Sequence, residues 1–167
     1  IKLINYEKNL DLDIKKIYKN LNSSTSLIVI SNPNSPTGTF INKDTLKKII
    51  LRAKKFNIKV VIDEAYYGFS NHTVLPFVQR FNNLIVLRTF SKAYGLAGLR
   101  VGYMVSNAKN IRKLFSIKPM YEINSLGILA ANILLKNNSI KSNYIKDSLK
   151  GKKYLLDFFN KKKIKYL

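Results

Sequence analysis

Four short apolar runs alternate along the chain with stretches of helical spacing. The runs are SLIVIS (26–31), KVVID (59–63), LIVLR (84–88) and VGYMVS (101–106), each rich in β-branched residues and nearly continuous in hydrophobicity. Such runs read as strands buried on both faces, as in a parallel sheet. Between the first two lies INKDTLKKIILRAKKFN (41–57). There Leu46, Ile49, Ile50, Ala53 and Phe56 recur at helical spacing, which predicts an amphipathic crossover helix. Strand, helix and strand in that order predict a layered α/β domain.

After residue 107 the pattern turns helical. Ile111, Leu114 and Phe115 share a face, and SLGILAANILL (125–135) is apolar nearly all round, so it is expected to be buried. A longer helix is predicted over 139–161, with Ile140, Tyr144, Ile145, Leu149, Leu155, Phe158 and Phe159 along one stripe. Gly151 is a candidate interruption of it. KNNS (136–139) is the candidate hinge or domain boundary. The closing KIKYL (163–167) reads as the start of another strand without a partner, so the chain is expected to stop in mid-domain.

Composition changes this picture little. With 167 residues, 46% of them apolar, the chain is expected to fold around a real core. The net charge of +21 suits nucleic acid or another anionic surface. Only five of the 30 cations are arginine, however, and the lysines are spread over helix faces without aromatic interleaving. Compositional background is therefore the favoured reading, and no nucleic-acid partner is expected. The absence of Cys excludes disulfides and thiolate metal sites and fits a reducing compartment. The single histidine, His72, speaks against a His-based metal site, and no metal is expected. No apolar run approaches the roughly 18 residues of a membrane span. The chain opens on Ile1, and no signal-peptide pattern follows it.

Candidate chemistry gathers at three strand ends, where open α/β sheets place their sites. NPNSPTG (32–38) follows the first strand, DEAYYGF (63–69) the second and TFSKAYGLAGLRVGY (89–103) the third. Asp63 closes an apolar run and is expected to be partly buried, where a carboxylate needs a cationic partner. The plainer alternative is a helix cap. Lys92 stands among Ser, Ala and Gly, where a long cation is no packing filler; the alternative is a solvated loop lysine. Ser91 and Arg100 offer a hydroxyl and a guanidinium for a phosphate. Gly95, Gly98 and Gly102 permit close backbone approach. A reactive amine, a buried acid and a phosphate clamp together meet the needs of pyridoxal 5'-phosphate.

NPNSPTG, DEAYYGF and SKAYGLAGLRVGY, in that order and at these distances, resemble the fold-type-I, class I and II aminotransferases, nearest the histidinol-phosphate branch. The strong matches cover residues 31–105, and KPMYEINSLG (118–127) resembles the segment before the family's interdomain helix. The resemblance implies a three-layer α/β/α large domain with a mostly parallel sheet, present in part. Residues 1–136 would belong to it, and 137–167 to the interdomain helix and the start of a small domain. Lys92 would be the Schiff-base lysine and proton shuttle, Asp63 the partner of the pyridinium nitrogen, and Tyr66 a donor to the cofactor's phenolic oxygen. Thr89, Ser91 and Arg100 would hold the phosphate. Ser35, a cofactor-binding candidate, stands where the family has an asparagine that contacts the phenolic oxygen; with a shorter side chain there, the contact would be weakened, water-bridged or taken over by Asn34 or Asn32.

The activity so implied moves an amino group between an amino acid, or a phosphorylated amino compound such as histidinol phosphate, and a 2-oxo acid. Decarboxylation of a phosphorylated amino acid on the same scaffold is the alternative. The resemblance also implies a cytoplasmic homodimer, and a central fragment that alone binds cofactor poorly.

Overall fold

The computed structural model describes residues 1–166, arranged as two compact units. The first unit comprises residues 1–89 and 102–122 and is built on a four-stranded sheet. Its strands are β1 (Leu27–Ser31), β2 (Lys59–Asp63), β3 (Leu84–Thr89) and β4 (Gly102–Ser106), in that spatial order. β1, β2 and β3 are mutually parallel, whereas β4 runs antiparallel to β3. The fold is thus α/β with a mostly parallel sheet, and the four strands expected from the apolar runs are present to within a residue.

The helices start where the sequence offers an Asx cap. Asp13 caps α1 (Ile14–Asn20), Asn42 caps α2 (Lys43–Lys55) and Asn107 caps α3 (Ala108–Phe115), each accepting a first-turn N–H. The turn that closes α2 passes through Asn57, whose φ of 57° is left-handed, and Ile58 N–H returns to the Ala53 carbonyl at 2.9 Å. That turn carries Phe56, predicted on the buried stripe, out to 39% exposure, while Leu46, Ile49, Ile50 and Ala53 are buried as expected.

The core lies on one face of the sheet. Ile30, Val60, Ile62, Leu84 and Val86 pack there with Ile17 of α1 and the stripe of α2. On the opposite face Leu27, Val29 and Met104 are 53%, 61% and 43% exposed. Burial on both faces, expected from the continuous apolar runs, is therefore not what this unit shows: α1 and α2 cover one side only.

The second unit comprises residues 90–101 and those from 123 onward. It contains α4 (Ser125–Lys136) and α5 (Asn138–Lys161), separated by Asn137 alone. Its small core is Phe90, Val101 and Ala131, flanked by Tyr94, Leu96 and Leu99. α4 is not buried all round as predicted. Gly127, Ala131 and Leu134 face the core, whereas Leu126, Leu129 and Leu135 are more than half exposed, because only one flank of the helix meets other described residues. α5 runs unbroken through Gly151 and has no buried residue. The strand predicted at 163–167 is absent over its described part, which is turn and irregular chain; Leu167 lies outside the described residues. Among the described residues no helix is long and apolar enough to cross a membrane.

Candidate active site

Because Ser31 pairs with Asp63, and Asp63 with Leu87, the carboxyl ends of β1, β2 and β3 emerge on one edge of the sheet. NPNSPTG leaves from the first of these ends. Asn32 is 1% exposed, accepts the Ile41 N–H at 2.7 Å on Oδ1 and donates from Nδ2 to the Ile41 carbonyl at 3.2 Å. Its backbone N–H reaches the Asp63 carbonyl at 2.8 Å, carrying the ladder one residue beyond β1. Asn34 donates to Thr37 Oγ1 at 2.7 Å, and Gly38, at φ 71°, donates its N–H to the Asn34 carbonyl. Both proline bonds in the turn, Asn32–Pro33 and Ser35–Pro36, are cis. The two asparagines are thus engaged in building the turn. Ser35 is exposed on it, and its Oγ accepts a hydrogen bond from Tyr66 Oη at 3.2 Å.

Asp63 is half-buried at the last position of β2, and its Oδ1 accepts the Ala65 N–H at 2.9 Å. This is an Asx turn and not a helix cap: turns, not a helix, follow over residues 65–69. The fully buried acid is the next residue, Glu64, at 1% exposure. Its Oε1 accepts the Val74 N–H at 2.7 Å, and its Oε2 accepts Thr73 Oγ1 at 2.8 Å, Arg88 Nε at 3.1 Å and Arg88 Nη2 at 2.9 Å. The cationic partner expected for Asp63 thus serves its neighbour. The Arg88 guanidinium also donates to Thr73 Oγ1 at 2.9 Å and lies 3.5 Å from the centre of the Tyr67 ring. Burial pulls the Arg88 pKa down, but hydrogen bonds with Tyr103 and Glu64 outweigh it and leave the group more basic than usual.

Thr89 closes β3 opposite Gly102, where a Cβ would stand 3.1 Å from the Arg88 carbonyl oxygen. From there the chain enters the second unit as the loop that carries Ser91, Lys92 and Arg100. Within that loop Phe90 N–H reaches the Val101 carbonyl, Leu96 N–H the Phe90 carbonyl and Gly95 N–H the Lys92 carbonyl, all at 2.9–3.0 Å. Lys92 is exposed and Ser91 half-buried. Arg100 is exposed, holds a left-handed backbone at φ 54° and donates from Nη1 to the Ala97 carbonyl at 3.2 Å. A non-glycine residue in that region is uncommon and marks a constrained turn. Asn124, the N-cap of α4, anchors the loop by donating to the Leu99 carbonyl at 3.1 Å.

The first unit therefore brings Ser35 to Tyr66 by a hydrogen bond and sets Asp63 and Thr89 on one sheet edge. Ser91, Lys92 and Arg100 share one loop of the second. Chemically these are a carboxylate, a phenol–hydroxyl pair, hydroxyls, a guanidinium and a primary amine. Sequence reasoning passed over Glu64 and Arg88. Their signal was present: an acid doublet closing one apolar run, and an arginine closing another in a chain whose cations are mostly lysine.

The profile of the family described as aminotransferase class I and II matches residues 1–162. A histidinol-phosphate aminotransferase of Caldanaerobacter subterraneus subsp. tengcongensis is 45% identical over 121 residues, which is 71% of this chain and 34% of that protein. The chain thus spans about a third of the length of that curated relative. Among solved structures, the histidinol-phosphate aminotransferase from Clostridium acetobutylicum superimposes with a TM-score of 0.79 at 26% identity, over 93% of this chain and 47% of that one. The L-threonine-O-3-phosphate decarboxylase from Porphyromonas gingivalis does so with a TM-score of 0.65 at 25% identity, over 73% and 39%. This chain belongs to the aminotransferase class I and II family.

Proposed function

We propose that the chain carries the cofactor-holding core of a pyridoxal-phosphate-dependent aminotransferase. It would move an amino group between an amino acid, or a phosphorylated amino compound such as histidinol phosphate, and a 2-oxo acid. The observation that carries the reading is the single sheet edge on which Ser35, Asp63, Tyr66 and Thr89 emerge, with Ser91 and Lys92 directly following in sequence.

The donor set fits the group. Asp63 engages one carboxylate oxygen with Ala65, so Oδ2 is open, among the described residues, to the pyridinium N–H. The Tyr66–Ser35 pair suits a phenolic oxygen: Tyr66 gives its proton to Ser35 Oγ, which leaves the Ser35 O–H to donate there. Asn32 and Asn34 are committed to the turn, which favours Ser35 as the residue that acts there. Thr89, Ser91 and Arg100 supply neutral and charged donors for a phosphate. Bound pyridoxal phosphate supplies an electron sink for the charge left at a substrate Cα after deprotonation. Asp63 would hold the protonated ring nitrogen, and Lys92 would hold the cofactor covalently and serve as the base for the substrate Cα proton.

Residues 137–167 as the link to a second domain, a homodimeric assembly and a cytoplasmic location belong to the same proposal. The likeness to a decarboxylase of a phosphorylated amino acid supports a second reading on the same residues. Its product would be carbon dioxide and not an oxo acid.

The test is to incubate the protein, at its full natural length, with pyridoxal phosphate, reduce with borohydride and map the modified lysine by mass spectrometry. A single pyridoxyl group on Lys92 is expected, and Lys92→Ala should abolish it and lower turnover by about 10²–10⁴-fold or more. Label scattered over many lysines would sink the proposal.

A further inference from the structure

We infer that Glu64 and Arg88 are positioning residues, an ion-paired clamp behind the sheet edge that sets Asp63 and the Tyr66 loop for the proposed chemistry. The inference rests on that functional reading. Side chains alternate along a strand, so Glu64 continues the buried row of Val60 and Ile62, and Arg88 continues that of Leu84 and Val86. Asp63 and Thr89 therefore point to the other side. At the end of two apolar rows a further apolar pair would be the default, and a buried ion pair commonly adds no stability over one. What a charged pair does add is direction, since the guanidinium fork fixes its partner's orientation.

The geometry shows what is directed. Glu64 N–H binds the Leu87 carbonyl at 2.9 Å, so the backbone beside Asp63 is locked to β3. The Glu64 side chain then receives Thr73 and Val74, returning the far end of the loop that contains Tyr66 to its starting point. Arg88 bridges Glu64 and Thr73 and lies against Tyr67, the residue after Tyr66. Each member of the clamp is thus a chain neighbour of a proposed site residue: Glu64 of Asp63, Arg88 of Thr89, Tyr67 of Tyr66.

The test uses Arg88→Lys, which keeps the charge and loses the fork, and Glu64→Gln, which keeps the shape and loses the charge. Two readouts are taken at unchanged melting temperature. One is hydrogen exchange of the Ala65 amide, which reports the pose of Asp63 and needs no cofactor. The other is pyridoxal phosphate affinity, with kcat and KM measured separately. Faster Ala65 exchange and a kcat lower by about 10–100-fold at little-changed KM are expected, as for other outer-shell supports. Unchanged Ala65 exchange and affinity in both variants would overturn the clamp. Should either single variant unfold, Glu64→Gln combined with Arg88→Met removes both charges together, leaving neither buried alone. Unfolding of that double variant would make the pair structural and also overturn the positioning role. If the parent protein takes no label at Lys92, the functional reading fails, and Ala65 exchange still decides whether the clamp sets Asp63.

Discussion

Asn32 shows how one side chain can set a strand end. Both ends of its amide meet the backbone of Ile41, nine residues on, in a fully buried setting. Removing it leaves a buried N–H and a buried carbonyl without partners. Asn32→Ala is therefore expected to cost about 1–3 kcal/mol in chemical denaturation, and Asn32→Asp at least as much at neutral pH, since it buries a carboxylate against the Ile41 carbonyl. Equal stability of the alanine variant and the parent would show that the turn closes by other means. The same neighbourhood marks where sequence reasoning stops. DEAYYGF made an acid at the end of β2 legible, yet Asp63 and Glu64 are adjacent, and chain order does not say which faces the core. Register with β3 decides it, by bringing Arg88 to the buried row and so to Glu64.

Among the elements, α2 was the most readable, because helical periodicity over a long amphipathic run leaves one solution. β4 was not. Its apolar run is compatible with either direction, and the choice follows from the loop 90–101, whose only helical piece is the single turn Ala97–Leu99, so it provides no crossover helix. That loop is packed by α4 through Gly127, where a Cβ would stand 2.7 Å from Val101 Cγ2. Gly127→Ala is expected to destabilise by about 1–3 kcal/mol through overpacking. It should raise hydrogen exchange at the Phe90 and Leu96 amides, both bonded within the loop that carries Lys92. Protection unchanged at both amides would show that Val101 yields without disturbing the loop.

For the whole molecule two surface properties oppose each other. Leu27, Val29 and Met104 on the open sheet face, and Leu126, Leu129 and Leu135 on α4, are apolar and exposed, the kind of surface that drives association. A net charge of +21 drives copies apart until salt screens it. The 167-residue chain is therefore expected to stay dispersed at low ionic strength and to self-associate as salt rises, with hydrophobic-dye binding at both, followed by light scattering. A chain that remains monomeric and silent to dye at high salt would contradict this account.

Local chemistry was readable from the chain: strands from apolar runs, the longer helices from their spacing, turns from proline and glycine, and candidate site residues from motifs at strand ends. Each depends on interactions within a few residues, so linear order preserves the signal. Burial was another matter. The continuous apolar runs of β1 and α4 announced hydrophobic faces without saying what lies against them, and here one face of each is open. The Glu64–Arg88 pair, separated by 24 positions, exists only because β2 and β3 are in register. Contacts between distant positions depend on how strands align, and alignment is set by the packing of the whole unit.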